Sequence, residues 1–600
     1  MPGSSQRSAT SKKTVRPLST KARRRLRLGL GIMLVLMLVV SGKLLLVQGL
    51  NVGDLAQAAV AQRTMVQTLP ATRGEILDSN GKILAQTILR YRIVVDQQNN
   101  GAASANPFKR PNGAGGSEEV SRDTGIAELA SALGKSQDEV RAAVTGSARY
   151  NIVATGVTPE VEDHIASLRI PGISAEATPV RSYPMGQVGG NVVGFINSDG
   201  TGSGLEYTMN QELTGTDGSR TYQKGKDGII IPTAPIDTKA AVNGGTIKTT
   251  INADLQYFAQ QAISDQVKKL HADWGNIVVV QVKTGNIVAL AEDTTVDPNN
   301  PGATPAASRD SRAVTNAIEP GSTEKSVTAA GAIQEGKASP STQLVIQPTY
   351  TVGGQTFSDS FVHGTVNRTF AGVIGQSMNT GTVMIGERLT PQQRYDYLRK
   401  FGIGQTTGIP LPGEAKGILA TPDQWDGRQE YTVLFGQGVS QTPLQTAMIY
   451  QALANNGVRL QPRLIDSVTD SNGVEHKMPQ APGTETVSPD AAKQVRDMLE
   501  SAITMQHYND VVVPGYRVGG KTGTAESPVA GGFNGYTASF AGMAPMDDPQ
   551  YVVLVTVQHP QGNIYGITQG PVFNAVMGQV LHTEAVPPST EPPVKLPQDF

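Results

Sequence analysis

Residues 319–336 read EPGSTEKSVTAAGAIQEG. Pro320 and Gly321 close one segment, and the Ala-rich stretch after them favours helix. Ser322 and Lys325 stand three residues apart, so on a helix they share a face. Serine is a poor nucleophile until a base takes its proton. A lysine one turn away can be that base if its amine is neutral, which requires burial or a neighbouring positive charge. Ser-x-x-Lys alone is expected by chance in a chain this long, and most instances are solvated helix faces. The spacing nominates Ser322 as a nucleophile and needs support from elsewhere in the chain.

Two further elements supply it. Ser377-Met378-Asn379 follows Ser322 by 55 residues, and Lys521-Thr522-Gly523-Thr524 lies a further 144 residues on. Each is weak alone. In order, the set resembles the S-x-x-K, S-D-N, K-T-G signature of penicillin-binding proteins and class A β-lactamases, with Met378 in place of Asp. The division of labour is physically sensible. Ser377 relays a proton to a leaving amine, and Asn379 holds substrate amides. Lys521 offers positive charge to a terminal carboxylate, helped by the hydroxyls of Thr522 and Thr524. The backbone N–H groups of Ser322 and Thr524 are the expected oxyanion hole.

Other chemistries fit less well. Gly515–Thr522 matches the phosphate-loop string G-x-x-x-x-G-K-T. Such a loop must open a helix whose N-terminus faces the phosphates, yet GTAESPVAGGFNG follows, rich in Gly and interrupted by Pro. RVGGKTGTAE reads instead as a substrate-lining strand. The seven histidines are scattered without metal spacing, and no G-x-S-x-G nucleophile elbow occurs. No motif calls for a cofactor or a metal.

The chain has 600 residues, no cysteine and a formal net charge of −1. Thiolate nucleophiles, disulfides and thiolate-bound metals are therefore excluded. The near-zero charge hides an asymmetry. Residues 1–53 carry ten basic residues and no acid, so the remainder carries −11. Residues 1–27 form a basic tail that runs into LRLGLGIMLVLMLVVSGKLLLVQGL, uncharged from Leu28 to Gly42. A helix needs about 20 residues to cross the hydrocarbon core, and Leu28–Val47 is just long enough. Lys43 lies near one end, where its stem can snorkel. A cleaved signal peptide would have a shorter apolar run and a nearby small-residue site, so residues 28–50 read as an uncleaved anchor. The positive-inside rule puts residues 1–27 in the cytoplasm and the body outside. Beside a spanning segment the basic tail is a topology signal, and nucleic-acid binding is not expected.

Residues 51–240 look irregular and β-rich, with strand-like runs at Tyr91–Val95 and Asn191–Ile196 and one or two helices over Val120–Ala143. Asn99–Gly116 is low-complexity and reads as a mobile loop. From Thr246 the pattern becomes strand, then helix, then a hairpin over 276–291. A strand at 550–560 and a helix at 571–583 close the body. Strands at both ends with helical material between them predict an α+β domain over 241–583 whose sheet draws on both. Gly 66 and Pro 37 fit a turn-rich body, and residues 584–600, with five prolines, read as a disordered tail.

At this point the chain resembles the class B penicillin-binding proteins, monofunctional peptidoglycan D,D-transpeptidases. ATRGEILDSNGKILA (71–85), RSYPMGQVGGNVVGFI (181–196) and GLEYTMNQELTGTDGS (204–219) are similar to stretches of that family's N-terminal module. SRAVTNAIEPGS, FGQGVSQTPLQTAMIYQALANNG (435–457) and YTASFAGMAP (536–545) are similar to its catalytic module. The resemblance implies a serine β-lactamase-like domain, an antiparallel sheet with a helical subdomain, behind an anchor and a β-rich pedestal of the dimerisation type. It implies cross-linking of peptidoglycan stem peptides through an acyl-serine, and covalent binding of β-lactams. EPGS with RAVTN before it looks more like the cell-division branch than the elongation branch. That branch works with a polytopic glycosyltransferase and other division proteins. A D,D-carboxypeptidase, a β-lactamase and a non-catalytic division scaffold or β-lactam sensor are the alternatives. Glu324, inside S-x-x-K, departs from the apolar or neutral residue usual in the family. It points roughly opposite the Ser–Lys face, and if buried it needs a partner.

Overall fold

The computed structural model describes residues 19–46, 52–98, 107–112, 116–197, 199–223, 231, 236–529 and 532–600. The first 18 residues of the basic tail, the end of the proposed anchor and most of the 99–116 stretch lie outside the described residues.

The chain forms two compact units. In the first, helix α1 (Thr20–Leu45) is capped by Ser19, whose hydroxyl accepts from Ala22 N. Its 26 residues extend about 39 Å. Its basic residues crowd the first turns, and every side chain from Leu28 to Leu45 is exposed. Among the described residues it is the one helix long and apolar enough to cross a membrane, with a mean hydropathy of 2.3. The unit also holds an antiparallel sheet of Thr64–Leu69, Gly218–Gln223 and Asp237–Lys239.

The second unit joins residues 70–216 to 242–600. The three N-terminal stretches 71–85, 181–196 and 204–219 meet at one buried carboxylate. Arg73 Nε donates to Glu206 Oε2 at 2.6 Å, and Arg181 Nε donates to Glu206 Oε1 at 2.7 Å. Arg73 also reaches Asn210 Oδ1 at 2.6 Å, and Arg181 reaches the Gly74 carbonyl at 2.7 Å. Asp78 builds the next link. Its carboxylate accepts from Asn80 N and Lys82 N at 2.8 Å each, and from Ala253 N at 3.1 Å. Ala253 opens helix α2 (Ala253–Lys269), so this turn also caps a catalytic-module helix. Val120–Ala143 forms two helices, Arg122–Leu133 and Gln137–Val144. Asn191–Ile196 does not form the expected strand: Gly190–Val193 is a helical turn and only Phe195–Ile196 is extended. Asn191 explains the bend, because its side chain bonds Val296 N and Glu292 instead of solvent.

The catalytic sheet has five antiparallel strands: β1 (Trp274–Gln281), β2 (Ile287–Glu292), β3 (Gly519–Val529), β4 (Gly532–Ala544) and β5 (Tyr551–Gln558). Their order is β2-β1-β5-β4-β3, so the sheet does draw on both ends of the module. The runs in β1 and β5 are apolar on both faces because both faces are covered. Val278, Val280 and Leu554 join the large core on one side. There helix α5 (Pro443–Ala454) packs on the sheet with every residue buried. Ile277, Val279, Val553 and Val555 face α2 and the closing helix α7 (Gly570–Thr583). Helices α3 (Lys325–Gln334), α4 (Asn379–Gly386) and α6 (Pro489–Met505) complete the helical part.

Residues 584–600 are not a free tail. Leu596 N donates to Ser501 Oγ at 2.9 Å, Val594 N to Glu500 Oε2 at 3.2 Å, and Thr369 N to the Gln598 carbonyl at 3.0 Å. Composition suggested disorder because prolines build no structure of their own. This segment instead borrows hydrogen-bond partners from α6 and from residue 369.

Glu206→Ala leaves Arg73 and Arg181 part-buried with no anion between them. Removing one partner of such a network costs about 3–5 kcal/mol, so the variant's unfolding midpoint in denaturant falls measurably below wild type.

Candidate active site

The residues nominated by spacing converge. Ser322 lies in a short 3-10 turn, Gly321–Glu324, that runs directly into α3 at Lys325. Gly321 has φ +57°, and a Cβ there would press on the Thr524 carbonyl at 2.9 Å. Gly523 mirrors it from β3, where a Cβ would sit 2.3 Å from Ser539 Oγ and 3.0 Å from the Pro320 carbonyl. These two glycines let the K-T-G strand lie tightly against the serine turn.

Segment 433–442 wraps the same turn. Gly321 N donates to the Gly436 carbonyl at 3.0 Å, Gly438 N to Glu319 Oε1 at 2.9 Å, and Thr328 Oγ1 to the Leu434 carbonyl at 2.7 Å. Ile318 and Gln441 exchange both backbone hydrogen bonds at 2.9 Å. The F-G-Q-G-V-S-Q stretch therefore acts as a brace for the serine turn.

Lys325 is fully buried. Its Nζ donates to the Ser377 carbonyl at 2.5 Å and lies 3.4 Å from Ser377 Oγ. Burial first, and then the charge of Lys521, pushes its amine well below the ordinary lysine range; Asp359 pulls the other way. This is the direction that a lysine base requires and that spacing alone leaves open. Ser322 Oγ itself has no hydrogen-bond partner among the described residues; Lys325 is turned to Ser377. Catalytic hydrogen bonds commonly tighten only with ligand bound.

Ser377 occupies the left-handed region at φ +58°. A non-glycine residue there is held at a cost of about 1–3 kcal/mol by its surroundings. Its N–H bonds the Ile374 carbonyl and Met378 N bonds the Val373 carbonyl, closing a tight turn before α4. Met378, at the family signature's Asp position, is fully buried in the core. Asn379 opens α4, and its Nδ2 donates to the Ser358 carbonyl at 3.3 Å.

An acid that spacing did not flag sits beside it. Asp359 accepts from Thr380 N at 3.0 Å and Thr380 Oγ1 at 2.6 Å, capping α4 from a separate hairpin, and also faces His363 Nε2 at 2.9 Å. The only sequence sign was an acid four residues before a histidine.

Lys521 on β3 is also buried, and its Nζ bonds the carbonyl and the hydroxyl of Thr522 at 3.3 Å each. Burial alone brings its amine down to about 7. Thr522, Thr524 and Glu526 alternate onto one face of the strand. Thr524 Oγ1 accepts from Gly566 N at 3.0 Å. Ser322, Ser377, Asn379, Thr522 and Thr524 line one open cleft of about 640 Å³. The phosphate-loop reading fails here, since Gly519–Val529 is a strand and no helix follows Lys521.

Glu324 is fully buried, and neither carboxyl oxygen has a partner. Burial pushes the carboxyl up to about 8.

Comparison with known proteins agrees with this geometry. The penicillin binding protein transpeptidase domain matches residues 275–578, and the penicillin-binding protein dimerisation domain matches residues 68–249. The penicillin-binding protein PbpB of Mycobacterium tuberculosis is 34% identical over 93% of this chain and 84% of its own length. The peptidoglycan D,D-transpeptidase FtsI of Escherichia coli is 29% identical over 91% of this chain and 90% of its own. Among solved structures, a peptidoglycan synthetase from Bifidobacterium adolescentis superposes with a TM-score of 0.72 at 34% identity, covering 90% of this chain and all of that one. Penicillin binding protein 3 of M. tuberculosis, complexed with aztreonam, gives 0.66 at 30% identity over 88% of this chain and all of that one. With both modules matched, and with Ser322, the S-x-N turn and the K-T-G threonines lining one cleft, the chain belongs to the class B penicillin-binding proteins, in the cell-division branch.

Proposed function

We propose that the chain cross-links peptidoglycan stem peptides in the septal wall through an acyl-Ser322 intermediate. Lys325 carries the reading: a buried amine one residue past the serine turn, its charged form disfavoured by burial, and already bonded to Ser377.

In the forward step Ser322 Oγ attacks the penultimate D-Ala carbonyl while Lys325 accepts its proton. The tetrahedral oxyanion is held by the N–H groups of Ser322 and Thr524. As the C–N bond breaks, the proton passes from Lys325 through Ser377 to the leaving D-Ala amine. An amine of a second stem peptide then displaces Ser322, reforming an amide and freeing the hydroxyl. Asn379 orients the donor's amide. Lys521, with the hydroxyls of Thr522 and Thr524, holds the D-Ala carboxylate. A β-lactam presents the same acyl group and carboxylate and acylates the same serine.

We also assign the remainder of the chain. Residues 51–240 are the pedestal and 241–583 the transpeptidase module, a division supported by the two family matches. Residues 28–50 anchor the chain with residues 1–27 in the cytoplasm, supported by the basic residues at the start of α1. The cytoplasmic tail and the anchor helix are the contact surfaces for a polytopic glycosyltransferase and other division proteins.

Ser322→Ala abolishes labelling by fluorescent penicillin, and mass mapping of wild type places the adduct on the peptide containing Ser322; a labelled mutant sinks the assignment. Steady turnover of penicillin, in place of a long-lived adduct, would mark a β-lactamase. Lys521 is charged below about 7 and loses its proton above it. Non-covalent affinity for a carboxylate-bearing β-lactam, read by stopped-flow saturation, therefore weakens as pH rises from 6 to 8. Lys521→Ala binds about 30-fold more weakly, roughly 2 kcal/mol, and loses that pH dependence.

A further inference from the structure

Glu324 stands between the nucleophile and its base in sequence but takes no part in the mechanism above. Both of its oxygens are buried and unpartnered. A buried carboxylate without a cation or several donors is not tolerated, so its neighbours decide its state. Lys325 Nζ is spent on Ser377. On β3, Lys521 Nζ is spent on Thr522. On α5, the Tyr450 hydroxyl donates to the Thr323 carbonyl at 3.0 Å and meets Ser326 Oγ at 3.1 Å. Its own titration is pushed up by burial. None of these groups neutralises Glu324.

One neighbour has the opposite problem. Gln441 is fully buried and its Nε2 donates to Thr446 Oγ1 at 2.9 Å, yet its Oε1 has no partner. The Gln441 side chain lies within reach of the Glu324 carboxyl and favours its charged form, an effect smaller than that of burial. Two orphaned acceptors within reach of one another can both be satisfied by a single added proton. Turning the Gln441 amide over would aim its Nε2 at Glu324 instead. It would leave a full charge in a dry core with one neutral donor, the costlier arrangement.

We propose that Glu324 is a neutral carboxylic acid whose O–H donates to Gln441 Oε1, making the pair a positioning tie that seats the serine turn on the brace formed by residues 433–442. Gln441 is already paired with Ile318 through its backbone, so the side-chain bond fastens the far side of the same turn. The neutral form serves the chemistry as well. A carboxylate beside Lys325 would favour the ammonium and oppose the negative charge that develops on the substrate oxygen. The tie extends the assignment of Ser322 as nucleophile, but its protonation is measured without reference to acylation, so the two can fail separately.

Three readouts on the full-length chain test it. Infrared difference spectra at pH 7 should show the carbonyl stretch of a protonated acid, absent in Glu324→Gln and lost as pH rises through about 8. Stability carries the same signature. With the carboxyl at about 8 when folded and 4.5 unfolded, the native state holds a proton that the unfolded chain releases between those values. Its contribution is present at low pH and is lost as pH climbs through 8. The melting temperature of Glu324→Gln should thus gain on wild type from pH 5 to 8 and level off above. Penicillin acylation at pH 7 should stay within about threefold of wild type in Glu324→Gln, which keeps a donor. It should fall about tenfold or more in Glu324→Leu, which leaves Gln441 Oε1 unmet. No acid band, or a melting difference that does not change with pH, would overturn the neutral state. Wild-type acylation by Glu324→Leu would overturn the positioning role. If Glu324→Leu fails to fold, the spectra and the Glu324→Gln melting profile still decide.

Discussion

A lysine amine buried with no carboxylate bonded to it is the constraint on which the catalytic module depends. In water Lys325 would be an ammonium and useless as a base. Inside the protein, desolvation and the second buried lysine, Lys521, disfavour its charge. Desolvating an amine is costly, so the fold must supply a compensating polar contact. That contact is the Ser377 carbonyl, which belongs to the strained residue of the S-x-N turn. Lys325 and Ser377, the proposed base and relay, are thus fixed to each other by one hydrogen bond. The left-handed backbone at Ser377 belongs to the tight turn that closes before α4.

The same logic extends outward. The serine turn is held from one side by β3, where two glycines allow close approach, and from the other by residues 433–442. The N-terminal stretches contribute at a distance. Glu206 joins three of them, and Asp78 passes the connection to α2 beneath the sheet. Glu292 adds another joint. It pairs with Arg312 of the RAVTN stretch at 3.1 Å and accepts from Asn191 of the pedestal. Stretches similar to the family's, far apart in sequence, are therefore close in space because each ends on a shared buried charge.

Much of this was legible from residues alone. Strands β1, β2 and β5 announce themselves as β-branched apolar runs, and K-T-G on a strand was separable from a phosphate loop by the Gly and Pro that follow it. The residues proposed as nucleophile, base, relay and carboxylate anchor were nominated from type and order, and the fold brings the segments that carry them together. What could not be read depends on three-dimensional neighbours. A Pro-rich end shows no partner until Ser501 and Glu500 appear beside it. Asn191–Ile196 is apolar enough for a strand, but Asn191 is committed to Val296 and Glu292. The serine turn is 3-10 before it is α, which spacing by three residues does not distinguish.

Asp359 shows why spacing arguments stop where they do. The S-D-N signature places its acid inside the middle element, and here that position holds Met378. A reader of the string would conclude that the acid is missing. In the fold, Met378 points into the core and cannot serve the cleft. The carboxylate comes instead from the turn after residue 358, where Asp359 caps α4 through both groups of Thr380. Asp359 also acts on Lys325 in the opposite sense to Lys521. A cap, unlike a nucleophile, needs only an oxygen at the right point beside two N-terminal donors. Any segment that passes that point can supply it. Attacking and proton-carrying groups are tied to their own elements by direction and reach, so they keep their order in the chain. The supporting acid is free to come from elsewhere, and it becomes visible only once the hairpin is folded over the helix.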